Sequence, residues 1–286
     1  MLAIEPRVAK ACTRAAQYVL SRQCASGGFC FYRSEHIEEP NLADTYHAVA
    51  TLKLLGHVIP RLPDLVAFLD RFPPSGQPAH LYYLLESKHA LDPAFRPAER
   101  FVRLIRNLRL NEPSSSSDLT GWLERARLIV QLKREYAEPV EGARMRRWLE
   151  RVSRDGGFGS RPNLRDTWLA LEILEACNDV GRWPQIADFV DRLQIESFGF
   201  SDTVVSRTAN IDVIFAGVRC CGLLAIPIRY PHQARRFVLQ CQTGNGGFSR
   251  APDALPRIEY SYEAICTVLS LSVANAHVPF PAPPEH

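Results

Sequence analysis

Two stretches near opposite ends of the chain share one pattern: Tyr18-Val-Leu-Ser-Arg-Gln-Cys-Ala-Ser-Gly-Gly-Phe29 and Phe237-Val-Leu-Gln-Cys-Gln-Thr-Gly-Asn-Gly-Gly-Phe248. Each runs from an aromatic residue through an apolar segment to a Gly-Gly-Phe turn, with identical spacing. Trp148 to Phe158 repeats the pattern one residue shorter, and Phe189 to Phe200 repeats it with one glycine replaced. Because four copies make coincidence implausible, the chain is built from internal repeats.

A second apolar segment follows each turn, and it opens with an acidic and an aromatic residue. The segments are Asn41 to Leu55, Asn163 to Leu174, the stretch from Asn210 onward, and Glu259 to Leu269. Their apolar residues recur at steps of three and four, which indicates helices. Asn41 and Asn163 stand three residues before Asp44 and Asp166, a spacing typical of helix N-caps. Each repeat is therefore predicted to be a helical hairpin.

Two weaker copies fill the middle of the chain, so that six hairpins are predicted. An open solenoid and a closed ring are both compatible with such repeats. The second helices are apolar on most faces, which favours an inner ring wrapped by the first helices. We therefore expect an all-α fold, a closed α6/α6 α/α toroid forming one domain over residues 1–278, with a proline-rich tail at 279–286. The predicted hairpins are 8–23/41–55, 62–72/79–91, 97–110/118–133, 142–154/164–177, 184–195/208–224 and 231–242/259–275.

Composition excludes several classes of protein. The chain has 286 residues, of which 46% are hydrophobic and 23% charged, as in an ordinary globular protein. Its net charge of +3 is spread among interspersed charges, which disfavours nucleic acid as a partner. No apolar run approaches the ~20 residues of a membrane span, and no signal peptide is recognised. We expect a cytoplasmic chain whose eight cysteines are reduced.

The hairpin pattern resembles the repeat of the prenyltransferase and squalene oxidase superfamily. That superfamily includes protein prenyltransferase β subunits and class II terpene cyclases, and the resemblance covers nearly the whole chain. It implies the α/α toroid and an isoprenoid or isoprenoid diphosphate ligand in a central cavity. The Gly-Gly-Phe turn itself is structural, because paired glycines allow left-handed and closely packed backbone after a helix.

The zinc site of the β subunits is not preserved. The resemblance aligns Arg207 with the diphosphate-binding arginine and Asp212 with a zinc-binding aspartate. Ile214 stands where the zinc-binding cysteine is expected, and Glu263 stands in place of the histidine. Because zinc prefers nitrogen and sulfur ligands, we predict no metal ligands, disfavour zinc, and keep Mg²⁺ as the alternative cofactor.

Candidate site residues follow from the resemblance and from the starts of the second helices. Arg207 is predicted to hold a diphosphate, and Asp212 or Glu263 to act as acid or base. The aromatic side chains at these starts are expected to bind an isoprenoid by burial and to stabilise a carbocation by cation–π contact. The alternative interpretations are helix capping for the acids, packing for the aromatic residues and a surface ion pair for Arg207. The predicted ligand-binding residues are Tyr46, His47, Trp122, Trp168, Phe215, Tyr260 and Tyr262, with Tyr82 or Tyr83 at the corresponding place in the second hairpin.

Three functions remain open on this evidence. The first is a prenyltransferase-like or terpene cyclase-like protein that acts without the usual zinc. The second is a non-catalytic toroid that serves as a binding or scaffold protein, with a protein partner or as a homo-oligomer. The third is a glycosidase-type toroid, which would need two carboxylates at a defined separation.

Overall fold

A computed structural model describes residues 5–32, 37–112 and 118–273. The predicted tail at 279–286 lies outside these residues. Twelve α-helices are present in the described part, and their bounds agree with the predicted hairpins to within a few residues. The helices are α1 Pro6–Leu20, α2 Leu42–Leu54, α3 Leu62–Asp70, α4 Pro78–Leu91, α5 Glu99–Asn107, α6 Leu119–Glu135, α7 Gly142–Val152, α8 Leu164–Ala176, α9 Gln185–Arg192, α10 Ile211–Leu224, α11 Pro231–Gln240 and α12 Ile258–Val273.

Very short antiparallel strand pairs form at the Gly-Phe turns. Each strand has two residues. The first two pairs close a Gly-Phe turn, whereas the third joins the end of the last turn to the segment directly before α12. The first and the last turn are each closed by a single bridge, between Gln23 and Phe29 and between Gln242 and Phe248. The pairs are β1 Ser153–Arg154 with β2 Gly157–Phe158, β3 Gln194–Ile195 with β4 Gly199–Phe200, and β5 Phe248–Ser249 with β6 Pro256–Arg257.

Asparagine side chains cap three of the even-numbered helices. Asn41 accepts a hydrogen bond from the Asp44 amide at 2.9 Å, and Asn163 accepts one from the Asp166 amide at 2.8 Å. The predicted caps of α2 and α8 are thus confirmed. Asn210 caps α10 in the same way, through the amide of Val213 at 2.9 Å. These caps fix where each even-numbered helix begins and which side chains its first turn presents.

The phenylalanine of each turn is completely buried. The turn glycine before it adopts a left-handed conformation, with φ of +91° at Gly27 and +94° at Gly246. Gly246 lies so close to α1 that an added Cβ would come within 2.4 Å of the backbone oxygen of Arg14. The glycine pattern therefore reflects close packing of a turn on a neighbouring helix, as predicted. The four buried side chains are Phe29, Phe158, Phe200 and Phe248.

The chain divides into two compact units. The split unit comprises Met1–Ala98 and Arg235–His286, and the continuous unit comprises Glu99–Ala234. In the split unit, α2 packs against α4 and α12, and α1 packs against α2 and α12. In the continuous unit, α8 packs against α6 and α10. Within each unit the even-numbered helices therefore contact one another, as expected for the second helix of each hairpin.

Candidate functional site

An aromatic cluster lies on three helices of the split unit. It consists of Tyr46 and His47 on α2, Tyr82 and Tyr83 on α4, and Tyr262 on α12, all half-buried. The Tyr46 ring centroid lies 5.6 Å from that of Tyr82 and 6.2 Å from that of Tyr262. The His47 ring lies 5.5 Å from Tyr262 and 5.7 Å from Tyr83. The structure thus brings together Tyr46, His47 and Tyr262, which were predicted, and places both Tyr82 and Tyr83 with them, where the prediction named one or the other.

Tyr46 occupies the centre of the aromatic cluster. Its hydroxyl lies 3.5 Å from that of Tyr82. Burial raises the pKa of Tyr46 well above its ordinary value, and the neighbouring hydroxyls of Tyr82 and Tyr262 act in the same direction, as does Glu86. The cluster therefore holds a neutral phenol among other aromatic rings, an environment suited to an apolar or weakly cationic group.

The raised pKa of Tyr46 predicts an alkaline loss of stability. The unfolded chain releases the tyrosine proton near pH ~10, whereas the folded chain retains it to higher pH. The stabilisation is complete below pH ~10 and is lost as the pH rises toward the folded pKa. The free energy of unfolding is measured by urea unfolding at several pH values. We expect it to fall less steeply above pH ~10 in Tyr46→Phe than in the wild type. Tyr32→Phe, a substitution on the exposed surface, should leave the fall unchanged. If the free energy of unfolding fell equally steeply with pH in both variants, the prediction would be wrong.

An ion-pair cluster lies on three helices of the continuous unit. Its centre is the buried carboxylate of Glu172 on α8, which forms ion pairs with Arg219 of α10 and Arg127 of α6. The same carboxylate accepts hydrogen bonds from the Gln131 amide at 2.6 Å and from the Trp168 indole at 3.0 Å. Glu172 is 5% exposed, so that its charge is compensated almost entirely by protein groups.

Electrostatics keep Glu172 ionised. Burial by itself raises the pKa of Glu172, but the charges of Arg219 and Arg127 and the hydrogen bonds from Arg219 and Trp168 outweigh this effect and hold its pKa below the ordinary value. Arg127 also stacks over the Trp168 ring at 5.5 Å, and Trp168 meets Phe215 edge-on at 5.2 Å. Two predicted binding residues, Trp168 and Phe215, therefore contact each other beside a buried charge cluster.

Asp212 belongs to a second group of charged side chains in the continuous unit, with Arg165 and Glu124. Its carboxylate lies 3.8 Å from the Arg165 guanidinium, which also binds Glu124 at 2.6 Å. Asp212 is buried at the start of α10, one residue after Ile211. This position, in the first turn of a helix that Asn210 caps, fits the interpretation of Asp212 as an acid that complements the helix dipole, and its carboxylate lies close to a permanent positive charge.

The other four predicted site residues lie on α6, in the loop before α10 and on α12. Trp122 is buried between α6 and α7, where its ring meets Trp148 edge-on at 5.7 Å and its indole donates to the Asn111 carbonyl. Arg207 is exposed in the loop before α10. Tyr260 lies under the Arg257 guanidinium at 5.9 Å, and Glu263 is half-buried on α12 beside Tyr262.

The sequence did carry a signal for the ion-pair cluster. Gln131 and Glu172 are separated by 41 residues, and Glu172 and Arg219 by 47. Arg127 and Trp168 are also separated by 41 residues, so that two pairs of residues in the cluster have the same spacing, which is about the length of one repeat. Polar residues at equivalent positions of otherwise apolar helices are the feature that would have identified the cluster.

The residues at the family's zinc positions do not suit zinc. Ile214 is completely buried and offers no ligand atom, while Asp212 faces the Arg165 guanidinium. Among residues 5–32, 37–112 and 118–273, no group of three or more His, Cys, Asp and Glu side chains is arranged to hold a metal ion. In the same residues, no helix has the length and apolar character needed to cross a membrane.

Comparison with known proteins gives a family match and a similarity in fold to solved structures. Residues 5–73 and 74–280 match the model of the prenyltransferase alpha-alpha toroid domain. The solved structure of Candida albicans protein geranylgeranyltransferase-I complexed with GGPP is similar, with 15% identity and a TM-score of 0.48 over 92% of this chain and 78% of that chain. A search of curated proteins found no match.

Proposed function

The chain belongs to the prenyltransferase alpha-alpha toroid family, and from this premise we propose that it binds an isoprenoid ligand against the aromatic cluster of α2, α4 and α12. The observation that carries the proposal is the grouping of Tyr46, Tyr82, Tyr83 and Tyr262 with His47 on three adjacent helices. Burial of an isoprenoid chain on such rings contributes about 25 cal/mol per Å² of apolar surface. The electron-rich ring faces also stabilise an allylic cation, should one form.

A separate proposal concerns phosphate recognition. Arg207 is exposed and carries the guanidinium that binds phosphate oxygens in two-pronged fashion. The half-buried arginines of the ion-pair cluster, Arg127 and Arg219, form ion pairs with Glu172 instead. From its alignment with the family's diphosphate-binding arginine, we propose that Arg207 of the continuous unit binds phosphate oxygens.

Any prenyl transfer or cyclisation by this chain would proceed without a zinc-bound thiolate. The support is the donor set, since Ile214 supplies no ligand and Asp212 lies beside Arg165. Asp212 and Glu263 are the proposed acid or base in such a reaction. Mg²⁺ is the proposed counterion for a diphosphate, because it binds through phosphate oxygens and one or two carboxylates.

A thermal-shift titration tests the proposed function. The purified chain is titrated with farnesyl and geranylgeranyl diphosphate and with the matching alcohols, with and without Mg²⁺ or Zn²⁺. Binding to the native state alone stabilises it by ~2.7 kcal/mol at a hundredfold excess over Kd, which raises Tm. We expect Tyr46→Ala to abolish the shift given by the alcohols, and Arg207→Ala to abolish only the additional shift given by the diphosphates.

Tyr32→Ala is the matched control, because Tyr32 is 62% exposed and lies away from the aromatic cluster in sequence. It should respond to all four ligands as the wild type does. The absence of a shift with every ligand would reject the isoprenoid proposal.

One observation favours protein binding as a second candidate function. Val58, Leu62 and Val66 are 86%, 45% and 43% exposed, and the last two lie one turn apart on α3. Exposed apolar residues grouped in this way are typical of interaction surfaces. A chain that shows no isoprenoid response would therefore be proposed as a scaffold that binds a protein partner or a second copy of itself through α3.

A further inference from the structure

Two cysteines face each other across the first Gly-Gly-Phe turn. Cys24 and Cys30 are 0% and 1% exposed, and their Sγ atoms lie 3.1 Å apart. The turn between them is held by backbone hydrogen bonds from the Cys24 amide to Gly28 at 2.8 Å and from the Cys30 amide to Arg22 at 3.2 Å. The two thiols thus lie on the same side of a fixed two-stranded turn.

The distance between the thiols suits bond formation. A disulfide joins its sulfur atoms at about 2.0 Å, so that the two atoms need to approach by only about 1 Å. Gln23 and Phe29 form a short antiparallel bridge, and each cysteine directly follows one of these two residues. Rotation about the side-chain torsions of the two cysteines is the proposed source of this displacement.

The other copies of the turn show that it folds without thiols. In the last hairpin the corresponding residues are Thr243 and Ser249, and the Ser249 hydroxyl donates to the Cys241 carbonyl at 3.0 Å. In the fifth hairpin Ser201 donates to the Leu193 carbonyl in the same way, at 3.4 Å. A hydroxyl therefore satisfies the structural requirement at the position of Cys30. The paired thiols of the first turn add a chemical property that the repeat does not need.

We propose that Cys24 and Cys30 are a redox modification site, which a hydroperoxide oxidises to a reversible intramolecular disulfide. Hydrogen peroxide oxidises one thiol to a sulfenic acid and releases water. The second thiol attacks that sulfur, the S–S bond forms and a second water leaves, so that two thiols lose two electrons to one peroxide. A small uncharged oxidant suits thiols that are buried.

The disulfide would act on the segment that joins α1 to α2. Within this turn Gly27 packs on the backbone of α3, and the Gln23 side chain donates to the Pro60 carbonyl at 2.8 Å. Just beyond Cys30, the Phe31 amide donates to the Asp44 carboxylate at 2.8 Å. A bond between Cys24 and Cys30 therefore restrains the contacts at the start of α2, the helix that carries Tyr46.

Peptide mass spectrometry tests this inference. The folded chain is treated with equimolar hydrogen peroxide, quenched with catalase, unfolded in urea and alkylated with iodoacetamide. Trypsin releases both cysteines in one peptide, Gln23 to Arg33. We expect this peptide to be unalkylated and two hydrogen atoms lighter, and to regain both alkylation sites when dithiothreitol precedes alkylation.

The matched control is Cys24→Thr combined with Cys30→Ser, which reproduces the residues of the last hairpin. This variant should keep the wild-type Tm before oxidation, whereas only the wild type should change its Tm after oxidation and recover it with dithiothreitol. Alkylation of both cysteines after peroxide treatment would overturn the proposal. So would sulfinic acid or bonds to other cysteines as the main products.

Discussion

Replacement of Glu172 with alanine is expected to lower the free energy of unfolding by about 3 kcal/mol. The substitution removes the carboxylate that Arg127 and Arg219 share and leaves two poorly hydrated guanidinium groups next to each other. It also removes the acceptor of the Trp168 indole hydrogen bond. Urea unfolding at neutral pH measures the change.

Glu175→Ala is the control for this prediction. Glu175 lies one turn further along α8 and pairs with Arg134, but both side chains of that pair are about half exposed. Exposed ion pairs contribute about 0–1 kcal/mol, so that the control should change the stability little. If both variants lost a similar amount of stability, burial of the Glu172 ion pair would not increase its contribution to the free energy of unfolding.

Replacement of Gly246 with alanine is expected to cost about 3–5 kcal/mol. The backbone at this position has φ of +94°, and the new methyl group would lie 2.4 Å from the Arg14 carbonyl oxygen. The clash involves backbone on both sides, so that rotation of a side chain cannot relieve it. Thermal and urea unfolding should both show the loss.

Gly244, in the same turn, provides the control. An added Cβ there meets no atom within 4 Å among the described residues. We expect Gly244→Ala to change the stability by less than about 1 kcal/mol. If Gly246→Ala were equally mild, the contact of this turn with α1 would not contribute to the stability as the packing implies.

The helical hairpins could be predicted because their signals are local. The bounds of α8, predicted as 164–177, differ from the observed Leu164–Ala176 by one residue. The cap at Asn163 marks where the helix starts, and the spacing of the apolar residues shows that the segment is helical. The predicted start of α10 at 208 is three residues early, because the cap at Asn210 was not recognised. Local patterns thus define the elements well wherever a cap is read correctly.

Side-chain partners could not be predicted because they depend on which face of a helix meets which neighbour. Trp122 and Trp168 both stand near the start of an even-numbered helix, yet Trp122 packs against α7 and Trp168 against α6 and α10. Helices that are apolar on most faces give no periodic signal that separates these environments. Glu172 was missed for a related reason, since its partners lie 41 and 47 residues away.

The division of the chain into a continuous and a split unit has a consequence for biosynthesis. All residues of the continuous unit, Glu99–Ala234, leave the ribosome in one uninterrupted stretch, whereas the split unit also needs the residues from Arg235 onward. Until α12 has been translated, α1 and α2 lack the helix against which both pack. The apolar surfaces of α1 and α2 that pack on α12 therefore stay exposed until α12 has been translated. A nascent chain stalled before α12 should for this reason depend on chaperones more than the released protein does.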